Sequence, residues 1–179
     1  LYVNIIRKVK ETISIPVIIK IGKNVGNIPA LVNTLKVNGA DGIVMFNRFY
    51  QPDIDINNMQ IVSGNVFSNH SDLSDTIRWT AIVSGKGPGI IIASSTGIHD
   101  WEDVIKCLLA GASAVQMCSA LYTHGGEIIS QVLTCIEEWM HQAHYQSLSQ
   151  FQGKLNYANI PNPAMYERSQ FMKYFSNRD

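Results

Sequence analysis

Two polar side chains end apolar runs of the sequence, where they could meet a ligand. Lys20 closes a run of mainly β-branched residues, and a buried ammonium group is costly without an anionic partner. Lys20 therefore either faces an anionic ligand or extends to solvent. Asn47 follows a second such run and could donate to and accept from a ligand, or simply form a turn. Arg48 beside it could bind a carboxylate or phosphate, or be a solvated loop charge.

Small residues follow two later apolar runs. Thr96 and Gly97 come after the third run, and Cys118 and Ser119 come after the fourth. Small residues let a backbone approach a ligand closely, and the loops after the last two strands of a barrel commonly bind phosphate. Ordinary packing at turns is the alternative, but two such segments on successive strands favour phosphate binding.

The cysteines and histidines do not have the spacing of a metal or redox site. The three cysteines (Cys107, Cys118 and Cys135) match neither a zinc pattern nor a redox pair, so we expect reduced thiols in a cytoplasmic protein. The five histidines lie in segments predicted as loops or helix surface. We therefore expect no bound metal.

Composition narrows the possible partners. The chain has 179 residues, of which 46% are apolar, which suits one well-buried domain. Its 14 basic and 14 acidic residues balance, so nothing indicates nucleic acid or an anionic membrane surface as a partner. The apolar runs are too short to span a bilayer. A small-molecule substrate is the remaining expectation.

Four apolar runs alternate with amphipathic segments. The runs predict buried strands at residues 16–21, 41–46, 89–93 and 114–118. Helices are predicted at residues 1–13, 27–38, 73–83, 101–110 and 126–144. This alternation predicts a parallel sheet with helical crossovers.

Two architectures fit this alternation: an open doubly wound sheet and half of an eight-stranded barrel. A dinucleotide-binding open sheet carries a glycine-rich turn after its first strand. Residues 22–26, Gly-Lys-Asn-Val-Gly, do not form that motif, which weakens the open-sheet interpretation.

Several segments together resemble the second half of dihydroorotate dehydrogenases, most of all the cytosolic class and its dehydrogenase-like relatives. The resemblance spans nearly the whole chain. The segments that carry it are residues 16–20, 38–42, 95–98, 109–112, 115–116, 119–121, 125–127, 145–147 and 151–155.

The resemblance implies an α/β fold, a (β/α)₈ TIM barrel, of which residues 1–146 supply the last four units and residues 147–179 an extension packed on the barrel. It also implies bound flavin mononucleotide (FMN) and a dihydroorotate-like substrate. The implied FMN ligands are Lys20 at the ring and Thr96, Gly97, Cys118 and Ser119 at the phosphate. The implied substrate ligand is Asn47, with Arg48 beside it.

Two positions depart from the family pattern. Thr96 stands where the family usually has glycine, and Arg48 stands where it commonly has serine or threonine, which bears on the substrate. The segment that carries the catalytic base in the family would lie upstream of Leu1, so no residue of this chain is expected to be the base.

The chain is therefore expected to be incomplete and inactive alone. Four strands cannot enclose a barrel interior, so it should form homo-oligomers or bind a complementing N-terminal half. We expect four apolar side chains to be partly exposed to solvent: Val17, Ile19, Val44 and Ile91. Two alternative functions stay open: a non-catalytic fragment that binds phosphate or a partner, and a flavin-free phosphate-binding barrel enzyme.

Overall fold

A computed structural model of the chain describes residues 2–87 and 89–167. The strands are β1 (Ile18–Gly22), β2 (Gly42–Asn47), β3 (Pro52–Asp55), β4 (Gln60–Ser63), β5 (Ile91–Ser95) and β6 (Ala114–Gln116). The helices are α1 (Tyr2–Thr12), α2 (Ile28–Val37), α3 (Leu73–Lys86), α4 (Trp101–Ala110), α5 (Ser119–His124), α6 (Glu127–Gln142) and α7 (Ala164–Glu167). None of the helices in these ranges is both long and apolar enough to cross a membrane.

Four strands form one parallel sheet in the order β1-β2-β5-β6. The order follows the chain, whereas a doubly wound sheet reverses its order at a switch point. The sheet is therefore wound in one direction, as in a barrel. The prediction of a partial α/β barrel with four parallel strands is confirmed.

The two faces of this sheet differ in burial. Ile21, Ile43, Met45 and Ile92 point to one face and are buried against helices α1, α2 and α3. Their neighbours along each strand point to the other face, because side chains alternate. On that open face Ile18 is 56% exposed and Ile91 is 57% exposed.

The prediction that four apolar residues are partly exposed is correct for only some of them. Ile91 is exposed as predicted, but Val44 is only 6% exposed, although its register with Lys20 and Ala93 places it on the open face. Ile19 is only partly buried, yet it packs against the core on the helix side of the sheet. Strand direction, rather than apolar character alone, decides which side chains face the open side. Val17, just before β1, is partly exposed.

Helix bounds follow local capping chemistry. The side chain of Asn27 accepts a hydrogen bond from the Ala30 N–H at 3.0 Å, which fixes the start of α2. The side chain of Asp100 accepts from the Asp103 N–H at 2.9 Å and starts α4. Gly111 ends α4 with φ +111°, a conformation that favours glycine.

Two elements differ from the sequence prediction. The connection after β2 contains the antiparallel hairpin β3–β4, and the short helix α5 stands between β6 and the long helix α6. Residues 53–56, Asp-Ile-Asp-Ile, alternate in polarity, and this was the available signal for the hairpin. The predicted fourth strand is also shorter than expected, because residues 117–118 already lead into α5.

Residues 147–167 pack on the outer helices. Phe151 is fully buried in the cluster formed by α4 and α6. The N–H groups of Gly153 and Leu155 donate to carbonyls at the end of α4, and that of Tyr157 donates to the Ala81 carbonyl. The boundary at residue 147 stays a prediction, and residues 168–179 of the predicted extension lie outside the described residues.

Candidate functional site

A cleft of about 440 Å³ lies where the strands of the parallel sheet end. All seven ligand residues expected from the sequence line it: Lys20, Asn47, Arg48, Thr96, Gly97, Cys118 and Ser119. The other lining residues are Val66, Phe67, Ser68, Ser95, Ile98, Gln116 and Tyr122. The sequence had placed its candidates on four different strand ends, and the fold brings them to one cavity.

Lys20 projects from β1 onto the open face of the sheet. Its ammonium nitrogen lies 3.4 Å from the Ser95 hydroxyl oxygen and 3.4 Å from the amide oxygen of Gln116. Both are neutral acceptors, and within residues 2–87 and 89–167 Lys20 forms no ion pair with a carboxylate. The cation is therefore available to an anionic ligand in the cleft.

Thr96 and Gly97 form a turn with unusual backbone geometry. Their φ angles are +85° and +83°, and positive φ is rare for a β-branched residue. The Thr96 hydroxyl donates to the Phe46 carbonyl at 2.9 Å, and the Thr76 hydroxyl donates to the Thr96 carbonyl at 3.0 Å. Thr96 thus adopts a backbone conformation suited to glycine, although the sequence departs from glycine here.

Cys118 and Ser119 lie at the start of α5. Ser119 is nearly buried, and its hydroxyl oxygen accepts from the Ser68 N–H at 3.0 Å and lies 3.0 Å from the Ser68 hydroxyl oxygen. Cys118 is exposed and has a free thiol. The Ser119 hydroxyl is therefore already hydrogen-bonded within the protein, whereas the Cys118 side chain is accessible from the cleft.

Asn47 ends β2 with an exposed side chain beside the cleft. Arg48 differs, because both of its terminal nitrogens are bonded within the protein. One lies 2.6 Å from a carboxylate oxygen of Asp72, and the other donates to Gln51 and to the Asn65 carbonyl. Arg48 is brought to the cleft wall but is anchored to other residues there.

A second polar cluster lies behind the cleft around Asp103, which is 1% exposed. One Asp103 oxygen lies 2.8 Å from His70 Nδ1 and accepts from the His99 N–H, and its other oxygen accepts from Lys106. With Asp100, His70 and Asp103 come close enough to offer three metal ligands. Both Asp103 oxygens are already hydrogen-bonded, and Asp100 Oδ1 accepts from the Asp103 N–H at the start of α4.

His99 connects this cluster to the cleft. Its Nε2 lies 3.2 Å from the Ser68 hydroxyl oxygen, and its ring lies 5.0 Å from that of His70. Burial lowers the pKa of His99, and the neighbouring His70 lowers it further. The neutral imidazole is therefore favoured beside Ser68.

Sequence reasoning missed the part of the cleft wall that comes from the β4–α3 connection. Val66, Phe67 and Ser68 carry no motif, and their position depends on how that connection folds back over the sheet. Gln116 was detectable, because it lies two residues before Cys118 in the predicted fourth strand, and alternate residues of a strand share a face.

Comparison with known proteins identifies the family of the chain. The family model described as dihydroorotate dehydrogenase matches residues 1–140. The chain belongs to the dihydroorotate dehydrogenase family. The resemblance seen in the sequence is thereby confirmed.

Curated relatives of the family include catalytic subunits of dihydroorotate dehydrogenase B (NAD(+)). That of Pyrococcus abyssi is 28% identical over 151 residues, covering 83% of this chain and 50% of the relative. That of Methanosarcina mazei is 29% identical over 149 residues, covering 81% of this chain and 46% of the relative. The chain spans about half the length of these relatives.

Proposed function

We propose that the chain provides the FMN- and substrate-binding half of an oxidoreductase that oxidises dihydroorotate or a similar small cyclic substrate in pyrimidine biosynthesis. Family membership supports the reaction class. The observation that carries the proposal is the position of Lys20, a cation without a carboxylate partner among the described residues, in the same cleft as the Thr96-Gly97 turn and Ser119.

The residues present fit a bound FMN. Lys20 offers positive charge to an anionic ring edge, and Thr96, Gly97, Cys118 and Ser119 offer close backbone approach to a phosphate. When bound, FMN would accept hydride from the substrate. The protein's part is to hold the ring against Lys20 and to keep water from the reacting face.

We assign the substrate contact to Asn47, whose exposed side chain lines the same cleft as Lys20. The amide can both donate and accept, as a cyclic imide or carboxylate substrate requires. We assign no substrate contact to Arg48, because its guanidinium group is already anchored within the protein.

No described cysteine of this chain is proposed as the catalytic base. Burial raises the pKa of Cys107 to about 12, which leaves that thiol protonated, and it does not line the cleft. We propose that the base comes from the half of the barrel that this chain does not span. The three free thiols are also consistent with our placement of the protein in the cytoplasm.

We propose that the surface beside β6 binds that half. An apolar groove of about 390 Å³ runs between α4, β6 and α6 and is lined by Leu108, Val115, Ile129 and Leu133 among others. In the described sheet β6 pairs only with β5, so its other edge has no strand partner. We propose that a complementing half barrel, or a second copy of this chain, covers this edge.

The test is titration of the purified chain with FMN, followed by flavin absorbance and fluorescence. Wild-type protein should bind FMN, and Lys20→Met should weaken binding about 10-fold, because a charge-assisted hydrogen bond contributes roughly 1.5 kcal/mol. Lys8→Met, at an exposed position of α1, is the matched control and should bind like wild type. Absence of FMN binding, with retained binding of inorganic phosphate, would instead favour a flavin-free phosphate site.

A further inference from the structure

The segment that joins β4 to the 3₁₀ helix His70–Asp72 forms one wall of the cleft. We name residues 64–69 the cleft loop. Three of its residues, Val66, Phe67 and Ser68, line the cleft. Val66 is 71% exposed and Phe67 is 48% exposed, so this wall presents apolar surface to whatever occupies the cavity.

Arg48 contacts both ends of the cleft loop, and at the first residue the Gly64 N–H also donates to the Gln51 carbonyl at 2.7 Å. Its Nη2 donates to the Asn65 carbonyl at 3.0 Å, near the beginning of the loop. Its Nη1 lies 2.6 Å from Asp72 Oδ2, and the same carboxylate oxygen accepts from the Asn69 N–H at 3.0 Å. The Arg48 side chain thus connects the end of β2 to the first part of the loop by a hydrogen bond and to the last part by the ion pair with Asp72.

The middle of the loop is fixed from the opposite side. The Ser68 N–H and hydroxyl group both contact the Ser119 hydroxyl, and the Ser68 hydroxyl also contacts His99. The Phe67 ring packs against that of Tyr122 with a centroid distance of 5.5 Å. These contacts fix the middle of the loop but do not involve its ends.

The environment of Arg48 argues against a direct role in binding substrate. The Arg48 and Asp72 side chains are each only 16% exposed. Arg48 Nε is buried and has no hydrogen-bond partner among the described residues, so an incoming carboxylate cannot reach it in this conformation. Both terminal nitrogens are bonded to the protein. The guanidinium fork matches the two loop contacts, a geometry that lysine does not reproduce.

We propose that Arg48 is a positioning residue: paired with Asp72, it fixes the cleft loop as the apolar wall of the site and thereby controls binding of the ring part of the ligand. The statement about the ligand rests on the proposed function. The statement about the loop does not. Position 48 carries arginine where the family pattern has a small serine or threonine. In this chain the residue anchors a loop and does not need to contact the substrate.

The experiment compares Arg48→Met and Arg48→Lys with wild type by amide hydrogen exchange. The amides to follow are those of Ser68 and Asn69, which are hydrogen-bonded in the folded protein. We expect Arg48→Met to accelerate their exchange at least tenfold, with α2 unchanged. The exchange rates in Arg48→Lys should lie between those in wild type and Arg48→Met, because lysine keeps the positive charge but lacks the two terminal nitrogens of the guanidinium group. Arg7→Met, which removes a hydrogen bond to Asn38 on the α1–α2 side, is the control.

Ligand binding is measured on the same variants with FMN and with inorganic phosphate. Arg48→Met should weaken FMN about tenfold and phosphate by less, because Val66 and Phe67 offer apolar surface suited to a ring, whereas the phosphate is assigned to the backbone at Thr96, Gly97, Cys118 and Ser119. Unchanged exchange at Ser68 and Asn69, or equal acceleration in α2, would overturn the positioning role. Faster loop exchange with unaltered FMN affinity would overturn the effect on the ligand. If wild-type protein binds no FMN, the proposed function fails. The hydrogen-exchange data still test whether Arg48 fixes the cleft loop.

Discussion

His99 stands between a buried carboxylate and the cleft, and its ionisation bears on stability. Because burial and His70 lower its pKa, the folded protein binds this proton less readily than the unfolded chain does, whose histidine has an ordinary pKa near 6.5. Above that value the group is neutral in both states. Below it the unfolded state takes up the proton first, so the stability supplied by neutral His99 is lost as the pH falls.

We therefore expect His99→Gln to make stability less dependent on pH between about pH 7.5 and about pH 5.5. Glutamine keeps a hydrogen-bonding group beside Ser68 but does not titrate. Urea denaturation at both pH values measures the difference. His124→Gln, at an exposed position of α5, should keep the wild-type dependence. If the free energy of unfolding falls equally in His99→Gln and wild type between these two pH values, His99 does not contribute to the pH dependence of stability.

At the scale of elements, the turn after β5 depends on a glycine packed against the start of α3. A Cβ on Gly97 would lie 2.3 Å from the Leu73 backbone nitrogen, and its φ of +83° is already unfavourable for other residues. Gly97→Ala should therefore lower the free energy of unfolding by about 2–4 kcal/mol, combining steric overlap with backbone strain.

The matched control for that substitution is Gly125→Ala. Gly125 also has positive φ, at +75°, but a Cβ there would meet nothing within 4 Å. It should cost only the backbone strain, about 1–3 kcal/mol, since its ψ of −176° also lies in a region that other residues rarely adopt. Denaturant titration of the two variants compares them directly. Equal destabilisation would mean that the contact with α3 is not what requires glycine at position 97.

The strands that build the site were readable from sequence because each is a continuous apolar run bounded by helix caps and glycines. Residues at the ends of parallel strands meet at one edge of the sheet, which is why seven expected ligands line one cleft. The cleft loop was not readable in this way. The partner of Arg48 is Asp72, 24 residues away, and no local pattern pairs the two residues.

At the scale of the whole molecule, one face of the sheet is only partly covered among the described residues. Ile18 and Ile91 flank Gly42 on that face and are both more than half exposed. The apolar groove beside β6 adds to this surface. Exposed apolar area of this kind normally becomes an interface, and the free edge of a strand invites pairing with another chain.

We expect the 179-residue chain alone to be oligomeric or aggregation-prone, and to show no dihydroorotate oxidation when FMN is added in excess. Loss of a positioned proton acceptor alone lowers a rate by roughly 10²–10⁴-fold. Size-exclusion chromatography beside the assay tests both statements.

Replacing Ile18 and Ile91 together with threonine should shift the chain toward monomer, since threonine keeps the preference for strands. Val37→Thr, at an exposed position of α2, should not. A wild-type monomer with measurable turnover would show that the open face needs no partner.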